Sequence, residues 1–259
     1  KEPGHKVHGY CLSRLNQDGA EELMDGWERA VHRAEYERQN FGIPSVTGKD
    51  TLTMEMVYAC CTKGVNLQTG SYESVMGVDV GGQIFHVVIM EGRKVVWFGE
   101  KKEWSDLSLL MRLFRVRSCV IDALPEVRAG RDFSEEWRGR VRRSYYVTDR
   151  SRTEITVSES DDKILLNRNM ALDAVYEGIV TKHLRLPDHG LCETYADQLC
   201  SIIKDEEENS ITGETKWVWK KLGADHLFHA TAYAMAAGKV NVWVGSYIDP
   251  FPMSEGAAV

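Results

Sequence analysis

An α/β sandwich around a mixed five-stranded sheet is the fold class that this 259-residue sequence predicts. Three observations carry the prediction. "SVMGVDV" (74–80), "IFHVVIM" (84–90) and "KVVWFGE" (94–100) are strand-like runs parted by Gly-Gly and Glu-Gly-Arg, a meander. "WSDLSLLMRLF" (104–114) repeats its apolar residues at helical spacing and leads into "SCVIDALPE" (118–126), which opens as a buried strand. A strand–helix–strand step of this kind favours parallel pairing. "SYYVT" (144–148) adds a fifth strand, after which helical patterns dominate.

The elements before and after this block are predicted in turn. Residues 18–41 are very polar, with Leu23, Trp27, Ala30, Val31 and Ala34 as a narrow apolar stripe that ends at Gly42-Ile43-Pro44. Residues 44–70 read as loop with one short helix or strand around Met54–Cys61. Residues 1–66 are therefore expected to be a linker or docking segment, 67–249 the main domain, and 250–259 a flexible tail. "KILLNRNMALDAVYEGIVTKHL" (163–184) reads as one long amphipathic helix. "ETKWVWKK" (214–221) reads as the second arm of a β-hairpin after the turn at Thr212-Gly213, with Trp217 and Trp219 as core. "ADHLFHATAYAMAA" (224–237) is a final alanine-rich helix closed by Gly238. Three antiparallel strands, a crossover helix, two more strands and then helices is the order of RNase H-like folds.

Composition narrows the function classes. No apolar run approaches the ~20 residues a membrane helix needs, and the opening "KEPGHKVHGY" is too polar for a signal peptide. A chain starting at Lys1 is expected to be a fragment of something longer. The six cysteines show no CxxC pair, which argues against a zinc ribbon or a disulfide scaffold and for reduced thiols in a cytoplasmic setting. Formal charge is −7, yet eight arginines lie between Arg128 and Arg152. A local basic stripe of this kind can bind a phosphate backbone; a solvated, salt-bridged surface is the alternative. "GIPSVTGKDT" (42–51) imitates a P-loop, but its glycines are one residue too far apart and Asp50 replaces the hydroxyl that reaches magnesium, so ATP hydrolysis is excluded.

Three acids are candidates for chemistry. Alternation in "SVMGVDV" puts Val75, Gly77 and Asp79 on one face of the first strand. Asp122 ends the fourth strand, and Asp225 opens the last helix. Each has a structural explanation: an ion pair with a buried arginine for Asp79, capping of the turn "DALPE" for Asp122, a helix cap for Asp225. Taken together, two acids at strand ends and a third at a helix start suit a divalent cation better, because clustered carboxylates repel unless neutralised. Oxygen-only ligands favour Mg²⁺ or Mn²⁺, and two ions ~3.5–4 Å apart would activate water and stabilise the leaving oxygen of a phosphodiester. His226 and His229 flank the site. His229, one turn beyond Asp225, is a further candidate ligand, and Glu126 a candidate outer acid.

On these motifs the chain resembles the nuclease domain of phage terminase large subunits. "VMGVDVG", "CVIDALPE" and "GADHLFHATAYA" stand in the places of that family's three acidic motifs. "KVHGYCLSRL" (6–15) looks like the segment leaving an ATPase domain, and "ERQNFGIPSVTGKDTLT" (37–53) like the stretch that follows it. The resemblance implies an RNase H-like fold and a two-metal endonuclease cutting concatemeric double-stranded DNA at packaging initiation and termination. It also implies an ATPase domain N-terminal to Lys1, partners in the portal, prohead and small terminase subunit, and a place in the host cytoplasm. Asp79, Asp122 and Asp225 carry over as metal ligands. The chain departs from the pattern at His229, where many relatives place another acid.

DNA would then be held by Arg128, Arg131, Arg138, Arg140, Arg142 and Arg143, and by Lys216, Lys220 and Lys221 of the hairpin. Lysines guarding a sheet edge are the alternative for the hairpin. Two other functions compete. "GVDVGG" is similar to the first phosphate loop of the sugar-kinase and actin superfamily, although Gln83 stands where a threonine is usual and no second phosphate loop is found. A docking module that keeps its acids for structure is the third reading.

Overall fold

The computed structural model describes residues 50–67, 74–148, 154–158, 162–208 and 215–240. These fall into two compact units: Asp50 with 205–208 and 215–217, and all the others. The expected helix over 18–41, the P-loop-like stretch up to residue 49, Arg150, Arg152 and the tail 250–259 lie outside the described residues.

The chain enters through β1 (Asp50–Thr51) and α1 (Met54–Tyr58), whose first turn is capped by the Thr53 side chain accepting from the Met56 N–H. Leu52, Val57 and Cys60 are buried in the main core, and the Thr62 N–H donates to the Leu186 carbonyl. These residues of the segment expected to be a linker or docking segment pack in that core.

β2 (Ser74–Gly81), β3 (Ile84–Glu91) and β4 (Lys94–Lys101) form the expected antiparallel meander. α2 (Trp104–Leu113) crosses over, and β5 (Ser118–Asp122) pairs parallel with β2. α3 (Val127–Glu136) and β6 (Val141–Val147) follow, β6 parallel to β5. β7 (Ile155–Ser158) and β8 (Lys163–Asn167) complete a seven-stranded sheet among the described residues, in the order β4-β3-β2-β5-β6-β8-β7. α4 (Arg168–Val180), α5 (Glu193–Cys200), β9 (Ile202–Glu208), β10 (Thr215–Lys221) and α6 (His226–Lys239) end the described chain. β9 and β10 belong with β1 to a second, three-stranded sheet.

Two features correct the sequence reading. The sheet has seven strands instead of five: β7 falls in a stretch for which no element was expected, and β8 arises because 163–184 is not one helix. Ile164 and Leu166 are buried while Leu165 is exposed, the period of a strand, and the Asn167 side chain accepts from the Met170 N–H to start α4 afresh. Parallel pairing with β6 then overrides the helical character of the run. α3 was also not foreseen: its polar face is thick with charge, and only Gly130, Phe133 and Ser134 are buried.

Each sheet face carries its own core. Met76, Val78, Val80, Val87, Ile89 and Ile121 pack beneath Leu107, Leu110 and Met111 of α2 and Phe133 of α3. Val75, Val88, Val120, Ile164 and Leu166 face α6, with α4 and α5 in the same core. α6 is apolar all round and buried, which explains its alanines: it lies between layers. At Gly77 the approach is closest. A Cβ there would stand 2.1 Å from the Ala230 carbonyl oxygen and 2.2 Å from the Ala234 nitrogen, so only glycine lets α6 seat against β2.

Candidate metal centre

Parity along β2 and β5 puts Asp79 and Asp122 on the face that α6 covers, at the C-terminal ends of adjacent parallel strands. Asp225 precedes the first turn of that helix. Asp79 is 8% exposed and Asp225 4%, so each carboxylate needs a partner. None of the partners is the one expected.

Among the described residues Asp79 meets no arginine. Its Oδ2 accepts from His226 Nδ1 at 2.8 Å, a contact that raises the imidazole pKa against the opposing effect of burial. The His226 ring stacks on His86, with centroids 4.2 Å apart and planes 10° from parallel. His86 lies directly across from Asp79 in the β2–β3 register. It is buried, its Nε2 is 3.3 Å from Glu100 Oε1, and its Nδ1 has no hydrogen-bond partner among the described residues. Burial, and next the neighbouring His226, lower the His86 pKa.

Asp225 does not cap α6 with its side chain. Oδ1 receives Lys221 Nζ at 2.9 Å, and Oδ2 lies 3.3 Å from His229 Nε2. Burial alone would raise this carboxyl, but the bonds from His229 and Lys221 outweigh it and bring the pKa down to about 2. The other nitrogen of His229, Nδ1, is 3.0 Å from the Tyr146 hydroxyl. Both ring nitrogens of His229 thus face protein groups, and the ring bears on the site through Asp225.

Asp122 does what its structural explanation required: Oδ1 accepts from the Leu124 N–H at 3.1 Å, across the turn that contains the cis Leu124–Pro125 bond. It is also electrostatically part of the site. Burial pushes its pKa up to about 6, and the Asp79 charge adds in the same direction. Glu126, the candidate outer acid, is exposed at the start of α3.

Among the described residues, the set of ligand atoms that all lie within 4.8 Å of one another is Asp79, His86 and His226. Asp122 and Asp225 border this set without belonging to it. Sequence reasoning noticed His226 and missed His86. The signal was present: a two-residue turn, Gly82-Gln83, pairs Gly81 with Ile84 and thereby counts back to Asp79 opposite His86. Glu100 stands opposite His86 in the next hairpin, but the same counting from the Gly92-Arg93 turn would place Gly99 there; an irregularity between Ile89 and Met90 shifts the register by one residue.

The basic residues separate by burial. Arg128, Arg131 and Arg138 are exposed on or just after α3, which begins five residues after Asp122. Arg140 and Arg142 are half-buried. Arg143 is buried, near Gly130 on the α3 side of the sheet, so the expected solvent-facing stripe loses that member. Central strands such as β6 bury both faces, and position 143 faces the core beneath α3. Lys216 is exposed and pairs with Glu207; Lys220 is half-buried; Lys221 is exposed and spans to Asp225.

Compared by sequence, the chain matches no family model and no curated protein. Compared by structure, it is similar to the nuclease domain of the large terminase subunit gp2 of bacterial virus Sf6, at 13% identity and a TM-score of 0.50, covering 71% of this chain and 97% of that domain. A mutant of that domain determined with manganese gives the same figures. The HK97 bacteriophage large terminase is similar at 11% identity and a TM-score of 0.45, over 86% of this chain and 50% of that one. Strand order, the helix lying on β2 and the likeness to the Sf6 domain agree on one conclusion: the chain has the RNase H-like fold of large terminase nuclease domains.

Proposed function

We propose that the chain is a divalent-metal-dependent endodeoxyribonuclease, the nuclease part of a viral genome-packaging motor that cuts concatemeric double-stranded DNA when packaging starts and ends. The observation that carries the reading is the placement of Asp79 and Asp122 on one face at the ends of parallel strands, with Asp225 at the start of the helix that covers them. The donor set fits a cation. It contains buried carboxylates, an acid whose proton is held up to about 6 by burial and a neighbouring charge, and a buried imidazole nitrogen without a partner among the described residues.

Asp79, Asp122 and Asp225 are proposed to hold Mg²⁺ or Mn²⁺, one or two ions, which would supply Lewis-acid stabilisation of the phosphodiester and a more acidic water. The protein's own part is positional. Tyr146 and His229 fix the Asp225 carboxylate from one side and Lys221 from the other. The Leu124 N–H fixes one oxygen of Asp122. Arg128, Arg131 and Arg138 offer exposed cations next in sequence to Asp122, suited to sequence-independent backbone contacts. An ATPase domain on the same polypeptide, a small terminase subunit, the portal and prohead, and the host cytoplasm complete the proposal.

The purified chain is expected to nick or linearise plasmid DNA with Mn²⁺ or Mg²⁺ and to stop with EDTA. Asp79→Asn should reduce cleavage to background while leaving the circular dichroism spectrum unchanged. Cleavage that survives in this variant would remove Asp79 from the reaction, and hexose-dependent ATP turnover would replace the nuclease with a kinase.

A further inference from the structure

We infer that Asp79, His86 and His226 form a cation site of mixed oxygen and nitrogen donors, which takes ions of the zinc and cobalt class in preference to magnesium or calcium. The inference deepens the nuclease reading by naming a metal class, and it rests on that reading only for what the bound ion is used for.

Geometry supports it first. One ligand atom from each residue lies within 4.8 Å of the other two. Bonds of about 2.0–2.2 Å separate the ligands on one ion by about 3–4 Å, so small side-chain rotations close the set. His86 is 6% exposed and its Nδ1 finds no hydrogen bond among the described residues, an unfavourable state for a buried nitrogen that a cation would relieve. The opposite nitrogen, Nε2, faces Glu100 Oε1 at 3.3 Å. A carboxylate on the far nitrogen is the usual support of a metal-binding histidine: it sets the tautomer and the ring orientation and leaves the near nitrogen as donor. His226 is already held against Asp79 by the 2.8 Å bond and against His86 by ring stacking. All three positions are thus set by neighbours before any ion arrives.

Donor chemistry then decides the ion. Magnesium and calcium take oxygen ligands and hold imidazole poorly, whereas zinc, cobalt and nickel bind it well. Two imidazoles and one carboxylate are a catalytic-type zinc set, with a remaining position open. Manganese, which prefers oxygen among the transition ions, falls between the two groups. Asp79 is shared with the carboxylates proposed above, so the histidine pair biases which ion that shared oxygen receives.

The test is direct binding to the whole chain, by calorimetry with zinc, cobalt and magnesium chlorides and by the visible absorption of bound cobalt. Zinc and cobalt are expected to bind at least ~10-fold more tightly than magnesium. His86→Asn and His226→Asn should each weaken zinc binding by ~10–100-fold and change magnesium binding less than ~2-fold, and Glu100→Gln should weaken zinc by ~10-fold through His86. Folding is checked by circular dichroism. If buried His86 cannot be replaced, His226→Asn and Glu100→Gln carry the test, since these side chains are 33% and 55% exposed. Wild-type zinc affinity in the folded variants would overturn the site, as would a cobalt spectrum with thiolate charge-transfer bands, which would place the ion on cysteine. Tight, histidine-dependent zinc binding in a chain that cuts no DNA would uphold this site and sink the nuclease reading instead.

Discussion

Asp79, Asp122 and Asp225 are one residue type in three environments, and their protons follow the environment. Asp122 has a folded pKa of about 6, above its ordinary 3.8, because burial and the Asp79 charge disfavour its ionised form. The folded state therefore holds this proton more tightly than the unfolded chain. The resulting stabilisation is complete below about 3.8 and is lost as pH rises through about 6. Asp225 works in the opposite sense: its pKa of about 2 gives a stabilisation present above 3.8 and lost as pH falls toward 2. In EDTA, Asp122→Asn should remove the decline in stability between about pH 4 and about pH 6 and gain roughly 2 kcal/mol near neutrality, after discounting for partial exposure. Urea unfolding across that pH range reads this out. An unchanged slope in the variant would mean that the Asp122 proton is not held as described.

At the scale of elements, the β2–α6 contact and the α4–β10 contact are the two that a single substitution tests most sharply. Gly77→Ala would drive a methyl group into the backbone of α6 at Ala230 and Ala234, where no flexible side chain can yield. A loss of about 3 kcal/mol is expected, visible as a lowered urea midpoint. In α4, Asp173 Oδ1 receives both Lys204 Nζ at 2.7 Å and Trp219 Nε1 at 2.9 Å. Asp173→Ala leaves the buried Lys204 charge unpaired and should cost about 3 kcal/mol, whereas Asp173→Asn keeps an acceptor for the indole and should cost less. Equal losses in the two variants would mean that the lysine, not the tryptophan, sets the cost. The β2–β3 register was countable from turn length, which is why Asp79 and His86 align as counting would place them; Glu100 comes opposite His86 only through the irregularity at Ile89/Met90, which counting does not show. The β8–α4 boundary was not readable that way, since Leu165 and Leu166 serve a helix pattern as well as a strand pattern until β6 supplies a partner.

For the whole molecule the governing quantity is charge. A net formal charge of −7 opposes DNA at long range, so the proposed function requires a local cationic face. The exposed members are Arg128, Arg131 and Arg138. Replacing all three with glutamate should weaken binding to double-stranded DNA and flatten the dependence of log K on log salt by about 3, if each meets one phosphate. Fluorescence anisotropy over a salt series measures it. An unchanged slope would return these arginines to ordinary surface. Arg143 is unsuited to this test, because its replacement would disturb the core before it disturbed any interface.

Local periodicity determined a good deal by itself: where the first five strands of the main sheet run, that Val75, Gly77 and Asp79 share one face of their strand, that Asp122 ends another strand, and that Asp225 begins the alanine-rich helix. These follow from alternation and helical spacing, which each residue shares with its near neighbours. Tertiary structure alone decided the two extra strands, the burial of Arg143, the capture of Asp225 by Lys221 and His229, and the meeting of His226 with Asp79 across 147 positions of chain. The physical reason is range. A buried charge is stabilised by whichever group the fold delivers within about 3 Å, and a hydrogen bond that short is chosen by packing between distant segments, not by anything the neighbouring residues encode.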